Sequence, residues 1–266
     1  MFYSQILKSY ITMKKHLFYS FILVAALAIG CKKDETIPDQ AVSSTLAGNS
    51  NILYATTTLT GASEVPAVTT TATGDAIGTF DKTSKILSLT VKYAGVTPTA
   101  WHIHKAAAGV AGGVIFNLGT EFKSPFVYAT PALTTAQETD LLGGQNYVNI
   151  HSAKSPSGEI RGQLTVAAST ATGSVTGTYN KGTKILTLSV NYAGMTPTAW
   201  HIHKGAVGVA GPVVLDMGTD FKSPFNFSTA ALTADQEVDL LAGLFYVNIH
   251  SKIAPNGEIR GQLAVK

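Results

Sequence analysis

Trp101-His102-Ile103-His104, Tyr147-Val148-Asn149-Ile150-His151 and Glu159-Ile160-Arg161-Gly162-Gln163-Leu164 are three short runs in which apolar and polar residues alternate. A period of two marks an extended strand with one face on a core, because successive side chains of a strand point to opposite sides. Trp101, Ile103, Val148, Ile150, Ile160 and Leu164 then make the apolar side, with His102, His104, Asn149, His151, Glu159, Arg161 and Gln163 on the polar side. If the three strands are neighbours, one face gathers three imidazoles, a carboxylate, a guanidinium and two amides.

The same pattern occurs twice. The block Gly74 to Leu164 recurs, without a gap, from Gly173 to Leu263 at a constant offset of 99 residues. This pairs His102, His104 and His151 with His201, His203 and His250, leaving His16 as the one unpaired histidine. Asn248, Glu258, Arg260 and Gln262 repeat the rest of the polar face, and both tryptophans and both arginines obey the same offset. Roughly two thirds of paired positions are identical, so the chemically capable residues persist in both copies while others have drifted.

Around these runs the chain is rich in Thr, Val, Ile and aromatic residues, in short stretches broken by Gly, Pro and Asn. Such spacing predicts an all-β sandwich or barrel. In the first copy strands are expected near residues 53–60, 74–80, 85–93, 99–105, 113–118, 126–130, 145–151 and 158–166. One short helix interrupts them in each copy. Thr134 with Gln137, and Thr233 with Gln236, fit a capping box, Leu141-Leu142 and Leu240-Leu241 would supply a buried ridge, and Gly143-Gly144 or Gly243 would end the turn.

The N-terminal region reads as an export address. From Met13, the expected true start, two lysines precede an apolar run from Leu17 to Ile29, then Gly30 and Cys31. The run is too short for a permanent membrane span. Leu27-Ala28-Ile29-Gly30-Cys31 resembles a bacterial lipobox, which would make Cys31, the single cysteine, the lipidated first residue. Lys32-Lys33-Asp34-Glu35 resembles the charged tether of Bacteroidetes-type lipoproteins. The expected organisation is therefore a signal peptide over 1–30, lipidated cysteine and flexible tether over 31–52, and two domains over 53–166 and 167–266. The location implied is the bacterial cell envelope, as an outer-membrane lipoprotein facing the periplasm or the cell surface, with the membrane a partner through the lipid.

Removing residues 1–30 takes away Lys8, Lys14 and Lys15 and no acid, which leaves 16 cations against 16 acids. The basic balance belongs to the leader, and scattered lysines offer no nucleic-acid surface. Ala108-Gly109-Val110-Ala111-Gly112-Gly113 lacks the lysine of a phosphate-binding loop, and no nucleophile stands beside a base. Two readings of the histidines stay open. His-x-His on one strand with a third His on a neighbour can hold Cu or Zn with a coordination position left open, or the imidazoles bond backbone and carboxylate groups of a half-exposed sheet. Ring nitrogens within about 4 Å of one point would favour metal, whereas rings spread over the sheet would exclude it. Arginine, rare here, holds carbonyls or carboxylates in a planar fork, so Arg161 and Arg260 are expected to be partly buried, tying the last strand to a loop.

Leu59-Thr60-Gly61-Ala62-Ser63-Glu64-Val65-Pro66-Ala67-Val68, the Trp-His-Ile-His runs at 101–104 and 200–203, and Tyr-Val-Asn-Ile-His-Ser at 147–152 and 246–251 carry a resemblance. With Gly-Glu-Ile-Arg-Gly-Gln-Leu at 158–164 and 257–263, they resemble the chordin-type domain, CHRD, over nearly all of 53–266. The resemblance implies two tandem sandwich domains of immunoglobulin-like, Greek-key character in an extracytoplasmic setting, as in secreted proteins that bind growth factors. It implies no reaction. One departure stands out: by the constant offset, the positions matching Leu59 to Val68 fall on Gly158 to Ala167, so the second copy has no opening strand of its own and Glu64 has no counterpart. Either that copy is a strand short or 160–166 serves both domains. The functional expectations are a non-enzymatic, lipid-anchored module binding a protein or envelope ligand, a Cu or Zn protein loosely similar to copper/zinc superoxide dismutases but without their zinc-site Asp, or an adhesive spacer.

Overall fold

The computed structural model describes residues 38–266. The readings of the leader, of Cys31 and of the charged tether lie outside the described residues. Among the described residues no helix is long and apolar enough to cross a membrane.

In chain order the elements are β1 (Gln40–Ala47), β2 (Ile52–Thr60), β3 (Thr73–Asp81), β4 (Ile86–Ala94), β5 (Pro98–Lys105), β6 (Gly113–Asn117), β7 (Phe126–Ala129), α1 (Thr135–Leu142), β8 (Asn146–Ser152), β9 (Ile160–Gln163) and β10 (Thr165–Ala167). Then come β11 (Thr172–Asn180), β12 (Ile185–Ala193), β13 (Pro197–Lys204), β14 (Val213–Asp216), β15 (Phe225–Ser228), α2 (Ala234–Leu241), β16 (Phe245–Ser251), β17 (Ile259–Gln262) and β18 (Ala264–Val265). They build two antiparallel sheets of nine strands each. The first runs β6-β5-β8-β9-β2-β3-β4-β7, with β10 also on β2, and the second runs β14-β13-β16-β17-β1-β11-β12-β15, with β18 also on β1.

Each sheet curls until its halves face one another. Phe80, Leu87, Leu89 and Val91 from one half share a core with Trp101, Ile103, Val148 and Ile160 from the other, and all are at most 2% exposed. The two layers of the expected sandwich are thus halves of one continuous sheet, hinged at the β9–β2 contact of Thr60 with Arg161. Tyr179, Leu186, Trp200, Phe245 and Ile249 repeat this core in the second domain. Side chains of this size contribute about 1.5–3 kcal/mol each on burial, so either half of the chain holds a core of its own without a disulfide.

The second domain finds its opening strand in β1, and neither alternative read from the sequence holds. All eight residues of β1 pair with β11, while β9 and β10 pair only within the first sheet. The expected tether over 31–52 is therefore corrected over its described part, from residue 38: Val42 and Leu46, 2% and 1% exposed, are core residues of the second domain. Ser43, Ser44 and Thr45 stand between them, which gives the strand the composition of a spacer. The chain enters the second sheet through β1, crosses at Gly48–Asn51, builds the whole first domain, and returns through Ala168–Ala171 to β11. The first domain is inserted within the second.

The helices start as expected. Thr134 Oγ1 accepts from Gln137 N and the Gln137 side chain accepts from Thr134 N, and Thr233 with Gln236 does the same. Each leucine pair is a ridge of one residue, because helical neighbours point about 100° apart: Leu141 and Leu240 are buried, while Leu142 and Leu241 are 46% and 43% exposed. Gly144 and Gly243 turn the chain at φ 66° and 69°, which glycine adopts without a Cβ penalty.

Candidate metal centre

Strands β5, β8 and β9 are consecutive neighbours, so the three alternating runs lie side by side. His102 faces Asn149 across the β5–β8 ladder, Ala100 faces His151, and Asn149 faces Arg161 across β8–β9. The pleat sends Trp101, Ile103, Val148, Ile150 and Ile160 inward. It sends His102, His104, Tyr147, Asn149, His151, Arg161 and Gln163 to the other side. That side is covered rather than outward-facing: His104, Asn149, His151, Glu159 and Arg161 are all at most 9% exposed.

The cover is the glycine-rich loop between β5 and β6. Gln163 Nε2 donates to the Ala106 and Gly144 carbonyls at 2.9 and 2.7 Å, Arg161 Nη2 donates to Val110 O at 3.1 Å, and Gly112 N donates to the Tyr147 hydroxyl at 3.0 Å. Gly112 is needed there, since a Cβ would run into the Lys105 carbonyl. The second domain repeats the strap with Gln262 on Gly205 and Gly243, Arg260 on Val209, and Gly211 on Tyr246. Tyr147 fills the space beneath it, its ring stacked on His104 at 4.9 Å and under the Arg161 guanidinium at 3.9 Å.

Within this enclosure the imidazoles converge. His102, His104 and His151 each offer a ring nitrogen within 4.8 Å of the other two, and so do His201, His203 and His250. Three atoms so spaced lie within about 2.8 Å of a common point, close to the 2.0–2.1 Å of a metal–imidazole bond. His104 Nδ1 donates to Gly112 O at 2.9 Å, which leaves its Nε2 as a lone pair, buried and without a partner. His151 Nδ1 donates to Pro156 O at 3.0 Å, so its Nε2 is an acceptor 3.1 Å from His102 Nδ1. The second domain repeats each bond: His203 on Gly211 O at 2.9 Å, His250 on Pro255 O at 2.9 Å, and His201 at 3.1 Å from His250. Backbone carbonyls that hold one imidazole nitrogen fix the tautomer and aim the other, the support that metal ligands use.

Burial and the neighbouring rings hold His102 below the ordinary histidine range. Burial does the same for His104, against the bond to Gly112. In the second domain burial lowers His201, which the Asp216 carboxylate partly restores, and lowers His250. Neutral rings present lone pairs to a cation rather than protons.

Two features escaped sequence reading. Tyr147 and Tyr246, left unassigned in the alternating runs, belong to the polar face. The centres also differ, with Asn117 opposite His102 in the first and Asp216 opposite His201 in the second. Glu159 stands apart from the imidazoles, accepting from Thr70 Oγ1 at 2.6 Å and from Ser152, and these bonds hold it below the usual carboxylate range. Glu258 accepts likewise from Ser169 Oγ at 2.6 Å.

A family model described as the CHRD domain matches residues 55–164 and again residues 165–263. No curated protein matches the chain. The second match begins beyond β1, so the strand that completes that domain lies outside it.

Proposed function

Because this chain belongs to the CHRD-domain family in both of its halves, we propose that it is a binding module whose two domains each hold one transition-metal ion, copper or zinc. The observation that carries this reading is the convergence of three imidazole nitrogens in each domain, two of the three rings being aimed by a backbone carbonyl on the opposite nitrogen. Nitrogen donors suit Cu and Zn. Three ligands leave room for a further ligand from outside, which fits capture, delivery or sensing of a metal. The reading is that of a binding protein rather than an enzyme. An export leader and a lipid on Cys31 would hold the module at the bacterial cell envelope, on the periplasmic or outer face of the outer membrane.

Elemental analysis of the full chain, purified without a histidine tag after equilibration with copper or zinc, tests the metal. Two equivalents are expected, and binding no stronger than in a chain lacking all six histidines would reject the reading. Incorporation of a labelled fatty acid, lost in Cys31→Ala, tests the anchor independently.

A further inference from the structure

The three imidazoles of each centre are not supported alike. Gly112 O and Pro156 O each engage one nitrogen of His104 and His151, and Gly211 O and Pro255 O do so for His203 and His250. The third ring has no such carbonyl. His102 Nδ1 lies 3.1 Å from His151 Nε2, and His201 Nδ1 lies 3.1 Å from His250 Nε2. These two rings are also the open ones, half-buried where the other four histidines are at most 9% exposed.

The domains part company at the residue facing this third ring. β6 sets Asn117 opposite His102, and β14 sets Asp216 opposite His201. Residues directly opposite in an antiparallel ladder share a face. Both side chains make the same turn, Asn117 Oδ1 accepting from Gly119 N at 2.8 Å and Asp216 Oδ1 from Gly218 N at 2.7 Å. The exchange therefore keeps the backbone bond and adds one negative charge, which acts on His201 against the effect of burial. Asp216 is exposed and stands outside the cluster of ligand atoms, so it works on an ion through His201 and through space.

Neither triplet contains an anion. A divalent ion on three neutral rings thus brings two uncompensated charges into the enclosure, and Arg161 or Arg260 adds a like charge in the same cross-strand row. In the first domain Glu64 approaches the Asn149 amide over Gly158 rather than a ring, and its burial favours the neutral carboxyl. We propose, on the metal reading above, that the centres are unequal: Asp216 is a positioning and charge-compensating residue that makes the second the tighter site for a divalent cation. That site fills first, and the first domain's centre is the one that exchanges its ion. A carboxylate beside a ligating imidazole orients the ring and raises its basicity. Its direct attraction scales with the charge of the ion, so the inequality is larger for Zn²⁺ than for Cu⁺.

Zinc competition with a chromogenic chelator, on full chains with one centre silenced, reads each site alone. His102→Ala/His104→Ala leaves the second centre and His201→Ala/His203→Ala the first. The second should bind zinc about tenfold more tightly, the lower end of what an outer carboxylate contributes. Adding Asp216→Asn to the former chain should remove the advantage, and adding Asn117→Asp to the latter should confer it, a gain that structural damage cannot produce. With Cu⁺ held reduced under nitrogen, the gap should narrow. Equal zinc affinities, or no response to either exchange, would overturn the inequality and leave the metal reading standing. A gap as wide for Cu⁺ would overturn the assignment to charge. Zinc held by neither centre would overturn the metal reading and this proposal together.

Discussion

Ala47 lies opposite Arg260, in the register in which Thr60 lies opposite Arg161. One pairing joins strands at opposite ends of the chain, and the other joins strands of a continuous domain. The two domains therefore have the same architecture with different connectivity, and each can serve as the internal reference for the other.

Removing the imidazoles one domain at a time should halve the bound metal. His102→Ala/His104→Ala and His201→Ala/His203→Ala are each expected to retain one equivalent of copper or zinc. Mass spectrometry of the native holoprotein counts them directly. Retention of two equivalents in either variant would contradict the assignment.

The strap glycines should matter through the carbonyl they present to a histidine. Gly112→Ala or Gly211→Ala forces a Cβ into the preceding lysine carbonyl and displaces the acceptor of His104 or His203. Loss of such a supporting bond typically weakens metal affinity about 10- to 100-fold. Competition with a chromogenic chelator should show the loss at the altered domain alone.

Burial pushes the Glu64 carboxyl up to about 7 despite the opposing pull of Arg161. A carboxyl raised on folding favours the folded state while protonated. Its contribution is fully present below the ordinary value near 4.5 and is lost as pH rises through about 7. We expect stability to fall by about 1–3 kcal/mol between pH 5 and pH 8, and Glu64→Gln to remove this part of the dependence. Urea unfolding at the two pH values measures it.

Leu46→Ala should destabilise the second domain by about 2–5 kcal/mol, as cavities left by buried leucines do. Hydrogen exchange is expected to rise across β11, β16 and β17 while the β3–β4 hairpin stays protected. A change confined to residues 40–47 would mean that β1 is dispensable.

Much of this was legible in residue order, and the misses share a cause. The strands of the first copy, the capping boxes and the inward set of Trp101, Ile103, Val148, Ile150 and Ile160 follow from local periodicity and hydrogen-bond chemistry, which short windows record. The convergence of His102, His104 and His151 needed strand neighbours that no window contains. Val42 and Leu46 were hidden because a strand so rich in Ser, Thr and Ala resembles a spacer until its partner, more than a hundred residues away, is known. The partial burial of Arg161 and its tie to a loop were readable from the choice of arginine, and it donates to Val110 O. The burial of Asn149, by contrast, depended on the Glu64 loop, whose sequence does not say where it folds.

The insertion also orders events in time. β1 is synthesised before every other described strand, yet its partners β11 and β17 come only after the whole inner domain. In an unstructured chain that pairing would close a long loop, and closure entropy grows with length. Once the inner domain has folded, Tyr54 and Ala167 are paired neighbours, and the gap between β1 and β11 shrinks to two short crossings. The folded inner domain thus acts as a clasp that shortens the loop the outer domain must close to pair β1 with β11.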